Sequence, residues 1–274
     1  MRRYRNILLL FGLIGLMVGM AIAQSRRSRF QGGVPDRGNV PQWQLPEGFN
    51  RDCFTFTRVQ YTSRTGRRSQ VWDTDYRDAD LNLSYRLHHT TAMKVDPEGQ
   101  VVSLTDPEMA HCPFLFMSGV GGLMLDDQEV RALRRHLNSG GFLLVDDFWG
   151  EAEWANFYRE IKRVFPEREP IDLSLDHPIF HTVFDLREKP QIPNVFHAMR
   201  FRETGITWER SDAREPHYRA IFDDHGRILV MICHNTDLGD GWEEESTDPY
   251  YFAEFSEPKA YPLGINILFF AMTH

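Results

Sequence analysis

The chain has 274 residues, 13% of them aromatic and 26% charged, with a net charge of −8 at neutral pH. Its length and large side chains suffice for one substantial core, and the acidic balance without a concentrated basic face argues against nucleic acid as a partner. Cys53, Cys112 and Cys233 have neither zinc spacing nor a C-x-x-C pair, so they are read as buried thiols rather than a disulfide framework.

At the N-terminus, Arg2, Arg3 and Arg5 precede an apolar run over residues 7–22 that closes in Ala21-Ile22-Ala23, the grammar of a secretory signal at 1–23. The run is shorter than the roughly 20 residues a spanning helix needs, so cleavage is expected, with retention as a membrane anchor through 7–22 the alternative. Cleavage removes three arginines and no acids, which deepens the net charge to −11. The basic trio Arg26, Arg27 and Arg29 then reads as solvated tail. Residues 24–50 hold four glycines and three prolines and read as a flexible linker, leaving 51–274 as one folded domain in the periplasm or outside the cell.

Residues 54–61 alternate Phe54, Phe56, Val59 and Tyr61 with polar β-formers, a first strand. Leu81, Leu83, Tyr85 and Leu87 alternate like a strand, but Leu81, Tyr85 and His88 also make a helical stripe behind Asp78 and Asp80. A crossover is needed here, so 77–92 is predicted to be helix. Residues 101–104 form a short strand, and Phe114, Leu115, Phe116 and Met117 are an unbroken apolar run of the kind buried on both faces of a parallel sheet. Asp126 with Glu129 spells a capping box for a helix with Val130, Leu133 and Leu137 inward, stopped by Gly140-Gly141. A strand at 142–145 follows, then a second amphipathic helix through Trp154, Phe157, Tyr158, Ile161 and Phe165. Residues 217–222 and 227–232 read as a hairpin turning at Gly226, and 263–272 as a buried closing helix. The order of elements in 166–216 is not legible.

Strands alternating with helices imply an α/β fold with a mostly parallel sheet covered on both faces and an added β-hairpin. Ligands bind such sheets beyond the carboxyl ends of the strands, where three loops emerge at 118–122, 146–151 and 234–240.

Over residues 53–274 the chain resembles the DUF4159 family, through Trp72-Asp73-Thr74-Asp75-Tyr76, Leu104-Thr105-Asp106-Pro107-Glu108, Gly140-Gly141-Phe142-Leu143-Leu144-Val145-Asp146-Asp147-Phe148-Trp149-Gly150 and Tyr261-Pro262-Leu263-Gly264-Ile265-Asn266. The resemblance implies a class I glutamine amidotransferase-like fold, a flavodoxin-like three-layer α/β/α sandwich, and Asp176-His177-Pro178-Ile179-Phe180 is similar to a segment of trehalose-utilisation-type relatives. It also implies relatives fused to membrane segments or encoded near AAA ATPases and von Willebrand A-type proteins. The parent amidotransferases carry a nucleophilic cysteine in a G-x-C-x-G turn after the strand at 142–145. Here that turn reads Val145-Asp146-Asp147-Phe148-Trp149, and a carboxylate cannot do a thiolate's work on glutamine, so glutamine hydrolysis is rejected.

The second loop offers Asp146, Asp147, Trp149 and Glu151. Paired carboxylates share a proton or hold a divalent cation, and a tryptophan face stacks on sugars; the plainer reading has one aspartate capping the helix near Ala152 and the other accepting turn N–H groups. The third loop offers His234, Asn235 and Asp237, against the plainer reading of a packed histidine and turn chemistry. Ser118 and Gly119 begin a glycine-rich turn whose N–H groups could cradle an anion, although its spacing matches no nucleotide motif. A divalent cation, if bound, is assigned to Asp147, His234 and Asp237, and no other cofactor is identified. Asp73, Asp75, Asp78 and Asp80 lack the glycine and closing glutamate of a calcium loop, so capping and solvation account for them. These readings sum to a non-catalytic amidotransferase-like module of the cell envelope that binds a ligand or partner protein. The alternative is a metal-assisted or carboxylate-based hydrolase acting on an envelope carbohydrate.

Overall fold

The computed structural model describes residues 37, 40–45, 53–64 and 71–274, so the expected signal at 1–23 and most of the expected linker lie outside the described residues. Its strands are β1 (Thr57–Gln60), β2 (Thr62–Ser63), β3 (Gln100–Ser103), β4 (Phe114–Ser118), β5 (Leu123–Met124), β6 (Phe142–Asp146), β7 (Ile171–Asp172), β8 (His217–Phe222) and β9 (Ile228–His234). Seven of them form one sheet in the order β3-β1-β4-β6-β9-β8-β7, while β2 and β5 pair separately. From β3 to β9 all neighbours are parallel, and β8 and β7 add antiparallel strands at one edge.

The α-helices are α1 (Asp78–Thr90), α2 (Asp127–Asn138), α3 (Gly150–Val164), α4 (Val195–Thr204), α5 (Leu238–Glu243), α6 (Pro249–Tyr251) and α7 (Tyr261–Thr273). Side chains alternate across the sheet because the strand repeat is two residues. Phe114, Phe116 and Leu144 join Leu83 and Leu87 of α1 and Leu263 and Ile267 of α7 in one core. Leu115, Met117, Leu143 and Val145 join Leu133 and Leu137 of α2 and Phe157 and Ile161 of α3 in the other. Helices thus cover both faces of a mostly parallel sheet, the expected three-layer α/β/α sandwich. The chain goes from β1 to β3 on one side and then to β4 on the other, so the strand order reverses between β1 and β4. That is where such sheets open a crevice.

The capping box is present as read: Asp126 accepts from the N–H of Gln128 and Glu129, and Glu129 accepts from the Asp126 N–H at 2.8 Å. Asp126→Ala is expected to lower stability by about 1 kcal/mol, measured by urea unfolding.

Three departures have local causes. Residues 166–216 contain β7, a 3-10 turn at Pro178–Phe180, and α4, which is capped by Asn194 and ended by left-handed Gly205. A π-helix over Phe252–Ala260, containing Pro258, runs directly into α7. Within the expected linker, Trp43 is seated on the domain: its ring stacks on His88 at 4.9 Å and its Nε1 donates to Val95 O at 2.7 Å. Cys112 and Cys233 are buried, whereas Cys53 is half-buried. Among the described residues no helix is long and apolar enough to cross a membrane.

Candidate functional site

Val145 of β6 lies beside Ile232 of β9, and Ser118 of β4 beside Asp146. The loops after these strands therefore emerge side by side at one edge of the sheet. Asp147 follows β6 with φ of 54°, and Asn235 follows β9 with φ of 62°. A left-handed backbone at non-glycine residues is held only where the surroundings over-determine it, and functional loops are where this is commonly found. At Asp147 it makes a sharp elbow between strand and helix.

Neither aspartate of that loop caps α3. The three first amides at the helix start are served from elsewhere: Glu153 accepts from Trp149 N, Asn235 Oδ1 from Gly150 N, and Asp212 from Glu151 N. Asp146 is fully buried; its Oδ2 accepts from Gly239 N at 2.9 Å, tying the second loop to the third, while its Oδ1 has no partner. Asp147 is left to face Asp75 and Asp237, one carboxylate oxygen from each of the three lying within 4.8 Å of the others. Asp75 belongs equally to a second group of this size with Asp240 and Glu243.

Asp75, 5% exposed, is the hinge of the cluster, and its Oδ2 is buried without a hydrogen-bond partner. Its position is fixed by Arg58 of β1, which is fully buried. The guanidinium pairs with Asp80, at 2.5 Å from Nη2 and 3.0 Å from Nε, while Nη1 donates to Trp72 O and Thr74 O. The segment carrying Asp75 is thereby pinned above the end of β1. Gly239 makes the close approach feasible, because a Cβ there would stand 2.4 Å from Asp75 Oδ2 and 3.4 Å from Asp237 Oδ1.

Burial and mutual repulsion dominate the electrostatics. Burial, then the charges of Asp240 and Glu243, hold the Asp75 carboxyl well above the usual range. Burial and the Asp147 charge raise Asp237, and burial and the Glu243 charge raise Asp240. Burial raises Asp146 despite the N–H of Gly239, and burial with the Glu209 charge pushes Asp147 up to about 6. Among the described residues Arg58 is the cation whose charge reaches Asp75, and its guanidinium is already engaged with Asp80.

The other residues singled out by sequence stand apart from this cluster. His234 points to the opposite face, packed on Phe148 and Trp154 at 4.7 and 5.3 Å. Arg219 Nη1 donates to its Nδ1, which makes Nε2 the protonated nitrogen facing Gly150 O at 3.2 Å. Burial lowers its pKa to about 4, so it is a neutral brace between β9 and α3 and belongs to neither carboxylate group. Asn235 is a second brace, donating from Nδ2 to Glu215 O and from its backbone N to Phe148 O. Asp237 both caps α5, accepting from Asp240 N at 2.8 Å, and belongs to the cluster. Glu151 is exposed, and Trp149 is only 3% exposed, so its ring faces protein. Ser118 is buried with its Oγ unpartnered; Gly119 N donates to Asp146 O, so that amide is already engaged, and a Cβ on Gly119 would meet Val71 at 2.5 Å.

Asp75, Asp240, Glu243 and Arg58 were not among the sequence candidates. Asp75 and Asp80, read as capping or solvated, are in fact buried, and α1 begins at Asp78 after Arg77, which supplies no side-chain cap. An arginine at an apolar strand position, Arg58, was the available signal that a buried acid must lie opposite.

The fold and this edge define an α/β sandwich domain with a buried carboxylate cluster beyond its parallel strands. Residues 55–272 match the family model for the domain of unknown function DUF4159, and the chain belongs to that family. No curated protein matches the chain.

Proposed function

We propose that this protein is an exported module of the cell envelope that binds a divalent cation, and a ligand or partner through it, in the cleft formed by Asp75, Asp147, Asp237, Asp240 and Glu243. The observation that carries this reading is the unpartnered Asp75 Oδ2 at the meeting point of two buried carboxylate groups. Carboxylates in such surroundings are either protonated or neutralised by a cation. A donor set made only of carboxylate oxygens suits Mg²⁺, Ca²⁺ or Mn²⁺ rather than zinc or copper. Amide hydrolysis of the amidotransferase type finds no support: the elbow carries Asp147, and the nearby Cys233 is a core thiol whose pKa burial pushes well above normal. Export rests on the pattern of residues 1–23.

The test is thermal unfolding in chelator and in millimolar Mg²⁺, Ca²⁺ and Mn²⁺. A binding cation is expected to raise stability in a concentration-dependent way, by about 2.7 kcal/mol at a hundred times its dissociation constant. An unchanged midpoint for all three ions would overturn the reading.

A second reading, a metal-assisted hydrolase acting on an envelope carbohydrate, draws on the elbow geometry of Asp147, whose left-handed backbone presents a reactive-type side chain between strand and helix. It expects cation-dependent cleavage of envelope polysaccharide that is lost in Asp147→Asn.

A further inference from the structure

We infer that the cleft is a site for two divalent cations bridged by Asp75, an inference that rests on the cation-binding reading above. The carboxylates fall into two groups, Asp75-Asp147-Asp237 and Asp75-Asp240-Glu243, each with its ligand oxygens within 4.8 Å of one another, and Asp75 is the member they share. A carboxylate has two oxygens and can serve one ion with each. Asp75 Oδ2 is buried without a hydrogen-bond partner, while the Asp75 carboxyl also meets Asp240 side chain to side chain. It is also directed into the cleft, since the missing side chain of Gly239 leaves the gap in which Asp75 Oδ2 and Asp237 Oδ1 approach each other.

Among the described residues the buried cation nearest to Asp75 is Arg58, and its guanidinium is taken up by Asp80 and by the carbonyls of Trp72 and Thr74. Each group also has one half-buried member, Asp147 in the first and Glu243 in the second, so both are reachable from solvent. Two ions sharing one carboxylate form a clamp for an anionic oxygen ligand, which engages both metals at once.

The experiment is Mn²⁺ titration of the full chain, read by calorimetry, elemental analysis and electron paramagnetic resonance. Two ions per chain are expected, with the resonance broadened by coupling between neighbouring Mn²⁺ ions. Asp240→Asn with Glu243→Gln is expected to retain one ion with an uncoupled six-line spectrum, Asp147→Asn with Asp237→Asn likewise one, and Asp75→Asn to weaken both sites at least tenfold. Circular dichroism checks that each variant is folded; these changes are nearly isosteric and remove buried charge. One ion per chain in the native protein, with no effect of the Asp240/Glu243 pair, overturns the two-ion inference and leaves the single-cation reading standing. No bound Mn²⁺ at all overturns both.

Discussion

Arg58→Met is expected to destabilise the domain by about 3–5 kcal/mol, because it strands a buried acid and two carbonyl groups. Arg58 is fully buried in β1, holds Asp80 through Nε and Nη2, and donates to the carbonyls of Trp72 and Thr74. Its guanidinium also lies 4.9 Å from the Phe116 ring centre. The loss has two parts that can be separated. Arg58→Met with Asp80→Asn removes the stranded charge and is expected to recover part of the stability, while the segment leading to Asp75 stays untethered and cation binding stays weak. Urea unfolding of the single and double variants measures the first part, and titration with Mn²⁺ the second. A loss below about 1 kcal/mol in the single variant would contradict the role given to this pair.

The second large effect is on pH dependence. In the metal-free protein the raised carboxyls are protonated in the folded state where their unfolded counterparts are ionised. Their contribution to stability is present below the unfolded value and is lost as pH rises through the folded one, which is about 6 for Asp147; burial raises Asp75, Asp146, Asp237 and Asp240 in the same direction. His234 works in the opposite sense, its contribution being full above the unfolded histidine value near 6.5 and lost as pH falls through about 4. From the unfolded carboxyl value near 4 up to about 6 the two effects oppose each other, so the carboxylate part is isolated by comparison with Asp147→Asn. The melting temperature in chelator is therefore expected to fall relative to that of Asp147→Asn as pH rises from about 4 to 6, with about 1 kcal/mol corresponding to ~2–4 °C in a domain of this size. Saturating cation is expected to abolish the fall, because the ion stabilises the ionised form. No such relative fall between about pH 4 and 6 in chelator would contradict the assignment.

The fold was legible wherever local pattern and tertiary role agreed. The unbroken apolar runs of β4 and β6, the capping box at Asp126 and Glu129, and the hairpin of β8 and β9 all carry their own signals in neighbouring residues. Helix α4 was not legible because little of it faces the core: Val195 and Ala198 are its buried residues and Phe196 is 73% exposed. The π-helix at Phe252–Ala260 was hidden by Pro258 and a polar stretch that reads as a loop.

Of the candidate cluster, Asp147 and Asp237 were legible: strand ends pointed to the edge where they meet. His234 does not join them because the two-residue repeat of β9 sends it to the face of Phe148 and Trp154, opposite to Cys233 in the α1 and α7 core. Asp75 is brought in from the segment after β1, about seventy residues earlier than Asp147, by an arginine whose partner no short window reveals. Asp240 and Glu243 sat inside a run of acids and glycines that reads equally well as turn chemistry.

The central claim, that the buried carboxylates around Asp75 are cation ligands, is tested most directly by anomalous diffraction from crystals of the protein soaked in Mn²⁺. The expected result is density bounded by Asp75, Asp147 and Asp237, absent from crystals of Asp75→Asn. Crystals in which manganese reaches only exposed surface acids, with the Asp75 carboxyl hydrogen-bonded to its neighbours, would contradict it.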